Sequence, residues 1–280
     1  MNTVAQEPKI GKGLSIISTP IGNMGDITVR AVEWLRHADK IACEDTRITG
    51  KLLAYHGIAT PMIAYHEHNA EHVRPKLLQL MQDGGALALV SDAGTPLISD
   101  PGYNLVNACY QADIPVTAAP GVCAPIMALT LSGLPSHSFT FAGFPPSKSA
   151  ARKTFYADWQ GASGTLIFFE SAKRLQASLN DAFESLGDCD AVIARELTKK
   201  FEEVIRGKLS DLIENYRDLK GEIVLLLAPQ KNQASLGSSE VQALVQALKP
   251  HYPSKEVASL VAAATGLSKR DLYQMVIANE

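Results

Sequence analysis

Through the first half of this chain, short apolar runs alternate with helical patterns, and turn-rich loops follow several of the runs. Leu14-Ser15-Ile16-Ile17, Ile41-Ala42-Cys43, residues 61–65, Ala86-Leu87-Ala88-Leu89-Val90 and residues 115–119 read as strands. Between them lie a helical stretch near residues 28–37 and one spaced by Val73, Leu77, Leu80 and Met81, which Gly84-Gly85 stops. A further helix opens at Tyr103, and an Ala-rich one runs through Leu131. Such alternation predicts a mostly parallel sheet with helices on its faces. In a parallel sheet the loops after the strands share one rim, where a ligand can bind.

Three loops there are built for close approach: residues 19–26, 91–102 and 120–124. The second, Ser91-Asp92-Ala93-Gly94-Thr95-Pro96-Leu97-Ile98-Ser99-Asp100-Pro101-Gly102, carries two prolines, two glycines and two aspartates. Its carboxylates suit a cofactor bearing a cation or hydroxyls better than bare phosphate, which needs donors. Neither GxGxxG nor GxxxxGK[ST] is present, which argues against common dinucleotide and P-loop chemistry.

The second half repeats the pattern on a smaller scale. Residues 138–142 read as a last strand of the first unit, and Gly143-Phe144-Pro145-Pro146 as a hinge. Strands at 165–169, 191–195 and 223–227 and helices at 173–186 and 209–216 form a second α/β unit. The expected organisation is a flexible N-terminus (1–12), α/β domains at 13–142 and 143–229, a linker (230–250) and a helical tail (251–280). In the tail, Ser254 caps one helix, Thr265-Gly266-Leu267 breaks it, and Ser268-Lys269-Arg270-Asp271 opens another. That is a helix-turn-helix pattern. On spacing alone, a packing appendage or dimer contact is the simpler account of it.

With 280 residues and 46% apolar content the chain can bury sizeable cores. Net charge is only −3, so any RNA contact must come from local patches such as Lys148/Arg152/Lys153 or Lys269/Arg270. Cys43, Cys109, Cys123 and Cys189 form no CxxC, which fits a reducing compartment. Apolar runs are too short to span a membrane, and residues 1–12 have no signal-peptide core, so a cytoplasmic location is expected.

Polar clusters at the strand ends are the candidates for chemistry. Glu44-Asp45-Thr46-Arg47 could orient a hydroxyl or bind phosphate, and equally starts a helix. His68 and His72 have helical ligand spacing but no accompanying cluster, so no metal is expected. Phe169-Glu170-Ser171 and Arg195-Glu196-Leu197-Thr198-Lys199 would face the first unit's loops, although the latter alone reads as a solvated charged turn.

Six segments occur in a telling order: Thr19-Pro20-Ile21-Gly22-Asn23, Glu44-Asp45-Thr46-Arg47, residues 91–102, Pro120-Gly121, Gly143-Phe144-Pro145 and Arg195-Glu196-Leu197-Thr198-Lys199. Together they resemble the tetrapyrrole-methylase-like (class III) S-adenosylmethionine methyltransferases over about residues 13–278. The Glu-Asp-Thr-Arg and Ser-Asp-Ala-Gly-Thr-Pro runs resemble an RNA-modifying branch rather than the porphyrin-modifying one. The resemblance implies two α/β domains with S-adenosylmethionine in the cleft between them, a homodimer, and methyl transfer to the 2′-hydroxyl of a cytidine in 16S ribosomal RNA. It implies cofactor contacts at Pro20, Asp92, Ala93, Gly94, Thr95, Ile98, Asp100, Gly121, Ala142, Phe169, Ser171, Leu197 and Ala228, and it favours RNA contact by the tail.

Val122-Cys123 and Ala172-Lys173 depart from the family pattern, where Pro-Ser and Pro-His are commoner; both leave backbone groups free for a cofactor. A weakly acidic ribose hydroxyl benefits from a nearby base, for which Asp45 and Glu170 are the candidates, with Glu44, Asp100 and Glu196 behind them. Arg47, Lys148, Arg152 and Lys199 would meet phosphates. A tetrapyrrole C-methyltransferase would need the same cofactor cleft plus a wide apolar trough, which 6% aromatic content does not favour. A non-catalytic RNA-binding assembly factor would not need three converging loops.

Overall fold

The computed structural model describes residues 10–216, 218–229, 238–265 and 267–278. Residues 1–9 of the expected flexible N-terminus, residues 230–237 of the expected linker and Gly266 of the expected helix break lie outside them.

In the first unit, β1 (Gly13–Ile17), β2 (Lys40–Cys43), β3 (Met62–Ala64), β4 (Ala86–Leu89) and β5 (Val116–Ala119) form a fully parallel sheet in the order β3-β2-β4-β1-β5. All four β4 residues are buried, as a strand covered on both faces requires. The helices are α1 (Val29–His37), α2 (Thr46–Tyr55), α3 (Ala70–Gln82), α4 (Tyr103–Gln111) and α5 (Ala124–Ser132). Local chemistry sets where they start: the Thr28 hydroxyl accepts from the Ala31 amide, and the Asp45 carboxylate from that of Arg47. Trp34, Leu35 and Leu53 pack on one face of the sheet, and Leu77, Leu105 and Cys109 on the other.

The second unit holds β6 (Phe139–Phe141), β7 (Thr165–Ser171), β8 (Asp190–Arg195), β9 (Glu203–Lys208) and β10 (Glu222–Ala228), ordered β6-β7-β10-β8-β9. Only β6 and β7 pair in parallel; β10 runs antiparallel to both neighbours. Helices α6 (Ser149–Ala157), α7 (Ala172–Leu186) and α8 (Leu209–Asn215) belong to this unit; residues of all three join the core on one face of its sheet. Helix α5 covers the opposite face, where Ala128 and Leu129 meet Ile167, Val192, Val224 and Leu226.

Two expectations change here. Residues 139–141 close the second sheet rather than the first. The charged run after Arg195 leads into an edge strand, β9, in which Ile205 is the one fully buried side chain. Its Arg206 guanidinium donates to the Leu131 and Ser132 carbonyls, satisfying the open C-terminus of α5 and tying that helix to the sheet.

The tail is three helices rather than two: α9 (Ser238–Leu248) occupies much of the expected linker, followed by α10 (Ser254–Thr265) and α11 (Lys269–Ala278). Val241, Val245, Val257, Ala258, Val261, Leu272 and Val276 give this tail a core of its own.

Candidate active site

Three loops of the first sheet are stitched into one wall. Thr19 and Gly94 exchange both backbone hydrogen bonds, at 2.8 and 3.0 Å. The Ser18 and Thr95 hydroxyls pair at 3.0 Å, and the Thr95 hydroxyl donates to the Val122 carbonyl at 2.9 Å. Two glycines make this fit possible. A Cβ on Gly121 would sit 2.7 Å from Ser18 Cβ, and Gly94, at φ +79°, lies in the left-handed region open to glycine.

The opposite wall comes from the second sheet. Because β10 is antiparallel to β7 and β8, its first residues lie beside their last: Ile223 pairs with Glu170 and with Arg195. Between the walls is a cleft of about 400 Å³, mostly apolar, lined on one side by Ile21, residues 93–95, Ile98, Asp100 and residues 123–125. Phe144, residues 169–172, Ala194, Leu197 and residues 221–224 line the other. That is the size and character of a small-molecule site.

Of the expected cofactor residues, Ala93, Gly94, Thr95, Ile98, Asp100, Phe169, Ser171 and Leu197 line this cleft. Pro20, Asp92 and Gly121 support it without lining it. Pro20 sits between Thr19 and the lining Ile21, Asp92 accepts the Asp45 amide at 3.0 Å, and Gly121 lets its loop close on Ser18. Ala142 lies behind it, packed into the core of the second unit. Ala228 is a correction: it pairs with Asp190 at the far edge of the sheet. It lies five positions further along the strand than Ile223, roughly 17 Å away. Sequence reading placed the ligand at the end of every strand; an antiparallel strand brings its beginning instead, so Gly221 and Glu222 were missed.

The two candidate bases have opposite surroundings. Asp45 caps α2 and is clasped by the Arg47 guanidinium, whose hydrogen bonds hold its carboxyl down at about 2. Donors therefore already occupy it, and it does not line the cleft. Glu170 does line it, fully buried at the end of β7, with Oε1 accepting from the Ser171 amide and from Arg174 Nε at 2.7 and 2.8 Å. Its Oε2 is buried and has no partner within the protein. Asp100 is pushed up to about 6, chiefly by burial, with Ser91 pulling down and Glu44 and Asp92 adding to the rise.

The expected phosphate contacts divide. Lys148 is exposed at the start of α6, and the Arg47 side chain is 86% exposed although ion-paired. Lys199 bridges Glu196 and Glu222 at 3.0 and 3.1 Å. Arg152 is a second correction: it is 3% exposed, bound to Asp181 at 2.6 Å and to the Pro146 and Ser147 carbonyls, so its charge is used in folding. Among the described residues, no group of three His, Cys, Asp or Glu side chains is arranged to hold a metal ion. Nor is any helix of those residues long and apolar enough to cross a membrane.

A parallel five-stranded unit and a mixed one, closing over an apolar cleft between strand-end loops, define a methyltransferase class, and the chain belongs to its family, the tetrapyrrole (corrin/porphyrin) methylases, whose profile matches residues 13–213. A profile described as the RsmI C-terminal HTH domain matches residues 236–280. The chain is 46% identical over 268 residues to a Mesorhizobium japonicum protein named ribosomal RNA small subunit methyltransferase I, covering 94% of this chain and 91% of the relative. A Vibrio cholerae protein of the same name is 46% identical over 273 residues, covering 95% and 94%. The fold is shared with Thermus thermophilus uroporphyrin-III-C-methyltransferase (TM-score 0.53, 20% identity, 78% of this chain and 93% of that one). It is also shared with diphthine synthase (TM-score 0.58, 14% identity, 77% and 89%).

Proposed function

We propose that this protein transfers a methyl group from S-adenosylmethionine to the 2′-hydroxyl of a cytidine in 16S ribosomal RNA, acting as a cytoplasmic homodimer on the small subunit. The observation that carries the reading is the continuous likeness, tail included, to relatives named as small-subunit ribosomal RNA methyltransferases, on a chain whose cleft suits the cofactor.

The cleft's composition supports that fit. Its walls are apolar, and Glu170 Oε2, a buried carboxylate oxygen of the lining with no partner within the protein, can accept from a cationic or hydroxyl-bearing ligand. When bound, S-adenosylmethionine supplies a sulfonium methyl with a good leaving group already attached. The protein's work is then chiefly alignment. Backbone groups of residues 93–95 and 221–224 and the ring of Phe169 would hold the cofactor, and Glu170 would act there as a binding group rather than a base. Asp100 replaces Asp45 as the preferred base. Ionised at neutral pH with a basicity well above that of Asp45, its carboxylate can take the proton of the acceptor hydroxyl. Arg47 and Lys148 offer positive charge to phosphates.

The test is incubation with methyl-labelled S-adenosylmethionine and unmodified small subunits, followed by alkaline digestion. Label in an alkali-resistant dinucleotide is expected, because a 2′-O-methyl blocks cleavage at its own linkage. Label in mononucleotides would mean base methylation and overturn the acceptor; label only on an added tetrapyrrole would overturn the substrate class.

A further inference from the structure

A second hollow opens beside the apolar cleft and differs from it in character. It holds about 520 Å³ and is lined by Glu44, His66, Glu67, His68, Ser99, Asp100 and Pro101. These come from the ends of three neighbouring parallel strands, β2, β3 and β4, so the sheet itself gathers them. Asp100 lines both hollows and is the one residue common to them. A ligand in each would meet at that carboxylate.

The polar hollow is held in shape. Asn69 Oδ1 accepts the His66 amide at 2.9 Å while its Nδ2 donates to the Ala64 carbonyl at 2.9 Å, fixing the turn that carries both histidines. The two rings stand 6.0 Å apart at 64°. Across from them, Leu97 and Ser99 are held at φ +73° and +66°, conformations that side-chain-bearing residues rarely adopt outside functional loops. The His66 ring nitrogen Nδ1 is buried with no partner within the protein. Burial, with Asp92 adding to it, raises the Glu44 carboxyl above its ordinary value, and His66 pulls it down.

We propose that this hollow is the acceptor pocket, taking one unstacked nucleotide whose base carries an exocyclic amine, with Glu44 accepting from that amine, His66 meeting the base's ring edge and Asp100 placed at the ribose hydroxyl. The assignment rests on the ribose-methylation reading above and extends it to substrate recognition. Its chemistry follows from the donor count. Glu44, Glu67 and Asp100 are acceptors when ionised, so they match the amine of cytosine and oppose the O4 carbonyl of uracil. Single-stranded RNA is read in this way, by splayed bases set against polar edges and rings.

The experiment compares wild-type, Glu44→Gln and His66→Asn proteins on RNA carrying cytidine or uridine at the acceptor position, measuring kcat/KM for transfer and, separately, S-adenosylmethionine affinity by calorimetry. Wild-type protein should prefer cytidine by about ten- to hundred-fold. Glu44→Gln, whose amide can pair with uracil as well, should narrow that ratio to a few-fold with cofactor affinity unchanged. His66→Asn should raise KM for RNA about three- to ten-fold, again with cofactor affinity unchanged, and stands in if Glu44→Gln does not fold. A wild-type preference that persists in Glu44→Gln, or a normal RNA KM in His66→Asn, overturns the pocket while leaving the methylation reading intact. Absence of RNA methylation by wild-type protein overturns both.

Discussion

Asp45 and Asp100 are the same side chain in opposite surroundings, and the difference decides which can do chemistry. Arg47 holds the first down at about 2, while burial lifts the second to about 6. A folded-state pKa above the ordinary 3.8 means that ionisation disfavours the folded state, so stability is lost as pH rises from about 4 through about 6. Asp100→Asn should therefore raise the thermal midpoint at about pH 7.5, leave it unchanged near pH 3, and slow methyl transfer. In the wild-type protein kcat should fall about tenfold per pH unit below about 6, a limb that the variant lacks. A wild-type profile flat down to about pH 5 would remove Asp100 from the role of base. Sequence position could not separate the two aspartates, because both follow strands in polar runs; the burial that separates them comes from residues distant along the chain.

The elements most visible in the sequence are those whose core-facing residues are uniformly apolar, such as β4 and α7. Those missed bury charge or little at all. The inward face of α6 carries Arg152 and Tyr156, so its period is hidden by a cation. That cation is structural. Arg152 and the Ser149 hydroxyl both bond Asp181 of α7, locking the two helices together. Arg152→Ala would leave a buried carboxylate short of its main partner, and the loss should be about 3–5 kcal/mol in urea unfolding. A loss below about 1 kcal/mol would return Arg152 to the RNA-facing surface. β9 went unread for a similar reason: an edge strand with one fully buried residue and an arginine spent on a helix end has no alternation to detect.

At the scale of the molecule, two sheets share a cleft and a separate three-helix tail carries its own core. Ile21 of the first unit sits in the same apolar cluster as Leu129 of α5 and Val224 of β10, so the cleft walls are braced against each other. Removal of residues 236–280 takes away none of the cleft's lining, and cofactor affinity should stay within about twofold of the full chain. Affinity for small-subunit RNA should fall, with a shallower dependence on salt if Lys269 and Arg270 meet phosphate. Equal RNA affinity and salt slope in both forms would make the tail a packing appendage.

Legible in the residues alone are the parallel first sheet, the three loops on its rim, the family and most of one cleft wall. These follow from local periodicity, turn chemistry and motif order, all of which are written within a few residues. Long-range packing settles the rest: the sheet to which residues 139–141 belong, the antiparallel run of β10 that exchanges Ala228 for Gly221 and Glu222, the burial that sorts Asp100 from Asp45, and the polar hollow beside the cleft. Strand direction, burial and cavity shape depend on which segments become neighbours, and that is settled only when the whole chain has packed.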